Sequence, residues 1–282
     1  MAAPRPGPHR VAVWGIVNVT PDSFSDGGRH AGTEEAVAHA RRLRAEGADV
    51  LDIGGESTRP GAAPVPHDEE IRRVVPVLRA LREGGDAGPL SVDTRHAVVA
   101  QAALHAGADL VNDVGGGRDP GLLDVVAAHG AGLVLMHMQG TPGTMQADPR
   151  YEDVVREVGE WLAARQAAAR AHGIARSWID PGLGFGKTLD HNLALLAGLP
   201  ALVARGPVLL GASRKSFLGR LTDEPVADRR LEGSLAAVAA GFHAGVAAVR
   251  VHDVRATRRF LDVLEAIRDK EERPGSDTIP TA

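Results

Sequence analysis

The sequence predicts an α/β fold, a single (β/α)8 barrel with its chemistry at the C-terminal ends of the strands, and three observations carry that reading. Short β-branched or leucine-rich runs alternate along the chain with Ala/Leu/Arg/Glu segments of helical spacing, the pattern of a parallel sheet with crossover helices. Roughly eight such units occur, the barrel number. Polar or glycine-rich residues follow nearly every strand, as expected where a whole rim builds one site. An open doubly wound sheet would share the alternation, but no G-x-G-x-x-G follows the first strand.

Strands are expected at 11–19, 49–53, 90–92, 110–112, 133–137, 178–180, 208–211 and 248–251. Helices are expected after each, among them 33–46, with Val37 and Leu43 on one face, 95–106, 151–171 and 228–244. Several run into x-Gly-Ala or x-Gly-Val, where Gly47, Gly107 and Gly245 suit the left-handed position that ends a helix.

The 282 residues fit one domain, with a core at about 10–270, because barrels of this kind commonly use about 250 residues. Residues 1–9 carry Pro and Gly rather than an apolar signal core, and no apolar run reaches the roughly 18 residues a membrane span needs. A soluble, cytoplasmic chain is expected, with a short frayed tail from about residue 271.

A net charge of -4 offers no footprint for nucleic acid or an anionic membrane, so a small-molecule partner is favoured. The lack of cysteine excludes disulfides and thiolate metal sites. A metal would need oxygen or imidazole ligands, and oxygen suits Mg2+.

For each strand end the plain alternative is a turn or a helix cap. The first runs into a long polar segment, Asn18-Val19-Thr20-Pro21-Asp22-Ser23-Phe24-Ser25-Asp26-Gly27-Gly28, where a connection would need only a few residues. Asn18, at the strand end, can turn its amide oxygen to the mouth and ligate a hard cation. The second leads to Asp52-Ile53-Gly54-Gly55-Glu56-Ser57-Thr58-Arg59-Pro60-Gly61, an anion-handling loop by its hydroxyls and guanidinium. The third and fourth deliver Asp93 and Asn112, each of which alone would pass for an N-cap or turn former.

The fifth gives Met136-His137-Met138. The sixth gives Asp180-Pro181-Gly182-Leu183-Gly184-Phe185-Gly186-Lys187-Thr188, which fails the phosphate-loop pattern because Pro181 stands where the first glycine should be. It reads as a flexible loop placing Phe185. The seventh leads to Ser213-Arg214-Lys215-Ser216 and the eighth to Arg250-Val251-His252-Asp253, so cations gather at the usual phosphate region of this fold. Carboxylates and an amide suit a flat heterocycle with several N–H donors, while Lys215, Arg250, His252 and a metal suit a diphosphate.

These segments resemble the dihydropteroate synthase family from about residue 11 to residue 265. The resemblance rests on Asn18 to Gly28, Gly55-Glu56-Ser57-Thr58-Arg59-Pro60-Gly61, Met136-His137-Met138-Gln139-Gly140-Thr141-Pro142, Asp180 to Lys187, Ser213 to Ser216 and Arg250-Val251-His252-Asp253-Val254, in the family's order. It implies a transferase that displaces diphosphate from 6-hydroxymethyl-7,8-dihydropterin diphosphate with the amine of 4-aminobenzoate, forming 7,8-dihydropteroate.

By that resemblance Asp93, Asn112, Asp180 and Lys215 hold the pterin, with Val114, Met136 and Phe185 packing nearby and Arg250 stacking on the ring. Asn18 ligates Mg2+; Arg250 and His252 hold the diphosphate with Thr58 and Arg59; and Phe24, Thr58, Arg59, Pro60, Phe185, Lys215 and Ser216 frame the aminobenzoate. Asp93, Asp180, Lys215, Arg250 and His252 are the expected catalytic set. A homodimer and sensitivity to sulfonamides follow from the same resemblance. A pterin-binding methyltransferase barrel shares the Asp, Asn and Asp positions but would have little use for Arg59, Lys215 and Arg250 together. A paralogue that binds pterin without turnover is the non-enzyme reading.

Overall fold

The protein is described here from a computed structural model covering residues 10–19, 28–58 and 61–272, with backbone alone for residues 28–31 and 272. The strands are β1 Ala12–Asn18, β2 Val50–Gly54, β3 Leu90–Asp93, β4 Leu110–Asp113, β5 Gly132–Met136, β6 Ser177–Asp180, β7 Leu209–Leu210 and β8 Ala248–Val251. All pair in parallel in the order β6-β5-β4-β3-β2-β1-β8-β7. A parallel bridge between Ile179 and Val208 joins the two outer strands and closes the ring.

Among the described residues ten α-helices surround it: α1 Gly28–Ala45, α2 His67–Glu83, α3 Ala97–His105, α4 Leu122–Ala128, α5 Val154–Ala171, α6 Leu189–Ala197, α7 Leu199–Val203, α8 Ser216–Thr222, α9 Leu231–Ala244 and α10 Val254–Glu272. None is long and apolar enough to cross a membrane. Gly47, Gly107 and Gly245 take φ of +103°, +104° and +83° after α1, α3 and α9, the left-handed helix ends that the recurring glycines announce.

Three helices start later than their sequence patterns suggest, each because side chains are engaged at the boundary. Asp153 leaves the helix to accept from Arg156 N, so α5 begins at Val154. Arg95 and His96 turn to Glu56, so α3 begins at Ala97, whose N–H is capped by Asp119. Asp228 lies in a short 3-10 turn and pairs with Arg214, so α9 begins at Leu231.

Register sorts the barrel interior into layers, since alternate residues of a strand face one side. Trp14 pairs with Val50, Val134 with Trp178 and Leu209 with Ala248. These residues, with Leu110, form a closed apolar plug at the N-terminal end, where the Trp14 and Trp178 rings meet edge to face at 5.9 Å. Two residues further along, Asp52, Asn112, Asp180 and Arg250 take the same orientation nearer the mouth. The larger apolar cluster, including Leu51, Ile53, Val92, Leu133 and Val249, lies between strands and helices.

Candidate active site

Arg250 organises the acidic side of the mouth. Its Nε donates to Asp52 Oδ2 and its Nη2 to Asp93 Oδ2, each at 2.6 Å. Asn112 Nδ2 donates to the same Asp52 oxygen at 2.9 Å. Asp52 Oδ1, Asp93 Oδ1 and Ser91 Oγ are buried without a hydrogen-bond partner among the described residues. Unsatisfied buried acceptors are costly, and a ring carrying N–H donors would satisfy such carboxylate oxygens.

Burial pushes the Asp93 carboxyl up to about 7 against the pull of Arg250. Burial also raises Asp180, although Gly182 N–H donates to its Oδ1 at 2.7 Å and Lys215 and Arg250 oppose the rise. Burial works against the charge on Arg250, but Asp52 and Asp93 win and hold the guanidinium more firmly protonated than usual. Asp180 and Arg250 therefore sense one another at the same mouth, as the two-part site requires.

Lys215 Nζ lies 4.2 Å from the Phe185 ring centroid, and burial lowers the ammonium to about 8 while Asp180 resists. The His252 result corrects the sequence reading, which grouped it with the cations. Burial, then Arg214 and Arg250, lower its imidazole to about 3, so it is neutral at pH 7. Ser213 Oγ accepts from His252 N at 3.2 Å and lies 3.1 Å from Nδ1. In the tautomer whose Nδ1 accepts from the Ser213 hydroxyl, Nε2–H is a neutral donor.

Val114 and Met136 gather with Met138 and Met145 in a separate apolar cluster at the rim, with Phe185 packed against it. Asn18 ends β1 beside Gly54, half-exposed, and its amide makes no hydrogen bond among the described residues. Thr58 is half-exposed and Ser216 opens α8 at the surface. Phe24, Arg59 and Pro60 lie outside the described residues.

Asp52 escaped the sequence reading of the site, although an acid at a strand position whose neighbours are all apolar was the available signal. Glu56, Glu70 and His96 form a second overlooked cluster, with potential ligand atoms within 4.8 Å of one another. Burial favours a higher pKa for Glu56, but hydrogen bonds from His96 and Val65 N–H, with Arg95, bring it down to about 2. A divalent ion there would compete with the Arg95 guanidinium, which lies 3.3 Å from Glu56, while the His96 imidazole lies 3.5 Å from the same carboxylate. Glu70 is fully buried, and burial raises its pKa against the opposing pull of the Thr94 hydroxyl.

The pterin binding enzyme family matches residues 14–252. The dihydropteroate synthase of Neisseria meningitidis serogroup B is 50% identical over 264 residues, which is 90% of this chain and 92% of that protein. The chain belongs to the dihydropteroate synthase family. Two Xanthomonas albilineans structures of the family are also similar to it. The one with 4-aminobenzoic acid has a TM-score of 0.86 at 51% identity and covers 92% of this chain and 93% of its own. The one in complex with 7,8-dihydropteroate has a TM-score of 0.83 at 48% identity, with 92% and 94% covered. Family membership spans the strand ends that carry Asp93, Asn112, Asp180, Lys215, Arg250 and His252.

Proposed function

We propose that this chain transfers the 7,8-dihydropterin-6-ylmethyl group from 6-hydroxymethyl-7,8-dihydropterin diphosphate to 4-aminobenzoate, giving 7,8-dihydropteroate and diphosphate in folate biosynthesis. The observation that carries the reading is a mouth that gathers acid oxygens without a partner among the described residues, Asn112 and Asp180 with Arg250, Lys215 and His252.

In this reading Asp93, Asn112 and Asp180 bind the pterin, Val114, Met136 and Phe185 pack on it, and Arg250 stacks against the ring. Arg250, His252, Thr58 and Arg59 take the diphosphate. Phe24, Thr58, Arg59, Pro60, Phe185, Lys215 and Ser216 frame the aminobenzoate. The amide oxygen of Asn18 would hold Mg2+, which when bound neutralises charge on the leaving group. The arylamine is neutral at pH 7, so the barrier lies in leaving-group departure. The C–O bond to diphosphate breaks first, Asp93 and Asp180 favour the positive charge that builds on the pterin methylene, and the amine nitrogen then bonds to that carbon and loses a proton. The chain would act as a single pterin-binding domain in a cytoplasmic homodimer.

A coupled assay tests the proposal: protein, Mg2+, the pterin diphosphate and aminobenzoate should yield dihydropteroate, and sulfonamides should compete with aminobenzoate. Binding of the pterin without product by the folded protein would leave only the non-catalytic reading. A sulfonamide titration that left the rate untouched would remove the aminobenzoate assignment.

A further inference from the structure

Lys187, 3% exposed, is a buried lysine that makes no salt bridge among the described residues, although Asp180 is near enough to act on its charge. Its Nζ instead donates to Phe185 O at 2.9 Å and His137 O at 3.4 Å, and lies 3.1 Å from His137 Nδ1. The Tyr151 ring lies 6.0 Å from it. His137 is anchored in turn: its N–H donates to Asp180 O at 3.0 Å, and its ring meets Trp161 edge-on at 5.1 Å.

The segment that Lys187 closes has little stiffness of its own. Gly182, Gly184 and Gly186 all take positive φ, and a side chain at Gly182 would fall 1.9 Å from His137 O. Outside groups hold the backbone: Tyr151 OH on Gly186 O at 2.9 Å, Gln146 Nε2 on Gly184 O at 2.7 Å, and Gly184 N–H on Asn192 Oδ1 at 2.7 Å. Of these ties, only Lys187 grips Phe185 itself, and the Phe185 ring is the surface under Lys215 Nζ.

We propose that Lys187 is a positioning residue: through Phe185 O and His137 it fixes the Phe185 ring against Lys215 and so shapes the wall that receives the aminobenzoate. The inference rests on the function proposed above. Burial lowers Lys187 to about 7, with Asp180 opposing, yet the strut works in either protonation state. An ammonium has three N–H donors for its three neighbours, and a neutral amine keeps two for the carbonyls while accepting from the other His137 tautomer.

Lys187→Met keeps the length of the side chain and removes every donor. Hydrogen exchange at amides 183–187 should accelerate at least about tenfold in the ligand-free variant. KM for aminobenzoate should rise about tenfold, while kcat and the KM for the pterin diphosphate stay within about threefold. His137→Phe, which keeps an aromatic ring but has neither ring nitrogen and so removes the Nδ1 contact to Lys187, should shift both readouts the same way by less, and it decides the matter if Lys187→Met does not fold. Unchanged exchange, or equal rises in both KM values, would overturn the proposal. If the unmodified protein makes no dihydropteroate, the functional reading falls, and the exchange comparison still decides the strut.

Discussion

The two ends of the barrel interior are made by the same eight strands and are opposite in character. At the N-terminal end Trp14, Val50, Leu110, Val134, Leu209 and Ala248 form an apolar plug that packing alone completes. Two residues further along, the same strands present Asp52, Asn112, Asp180 and Arg250, and acceptor atoms there have no partner among the described residues. The lower layer serves stability, while the upper layer holds polar atoms in a low-dielectric mouth that a ligand would complete. Variants in the two layers should therefore fail in different ways.

The largest effect belongs to the plug. Trp14→Ala should lose about 3–5 kcal/mol of folding stability in a denaturant titration, as large aromatic deletions in a packed core do. Pterin affinity of the remaining folded protein should hardly change, and a selective loss of affinity would erase the distinction between the layers. Asp180→Ala should do the reverse. It removes a charge-assisted interaction worth roughly 1.5–3 kcal/mol to pterin binding, read by calorimetry, and leaves the melting temperature near that of the parent. Unchanged pterin affinity would remove Asp180 from the site.

Glu70 sharpens the contrast through pH. Its folded-state pKa is raised by burial, so the folded chain keeps a proton that the unfolded chain has already released. Stability present below the ordinary carboxylate range is then lost as pH rises through the folded value. Glu70→Gln cannot lose that proton. Its melting temperature relative to the parent should be higher at pH 8 than at pH 5, and an equal difference at both would refute the buried neutral acid. The smallest effect is expected at exposed Ser216, where Ala should weaken aminobenzoate binding by about 1 kcal/mol or less in competition assays.

Much of this was legible in the residues. Strand-to-helix alternation announced the barrel, and a polar residue at the end of an apolar run is conspicuous, which is why Asp93, Asn112, Asp180 and Arg250 could be placed at one mouth. Asp52 was harder to see because it sits inside β2 and completes its meaning only by accepting from Arg250 and Asn112, which lie 198 and 60 residues away. His252 reads as a cation by residue type, and only its burial beside Arg214 and Arg250 makes it neutral. Lys187 looked like part of a loose glycine loop, since nothing local signals that its ammonium points inward to a backbone carbonyl.

Arg250 on β8 lies two positions before His252, just past the strand's end, as Asp52 lies two before Gly54 on β2, and this spacing makes the frame of each strand a chemical specification. Deleting one residue within β3 would slide Thr94 into the slot held by Asp93 and turn the acid toward the helical shell, so the mouth would change its chemistry before the fold changed its outline. Insertions after the strands carry no such penalty. Variation in this scaffold is therefore free to lengthen its loops but tightly restrained in the reading frame of the eight strands that carry them.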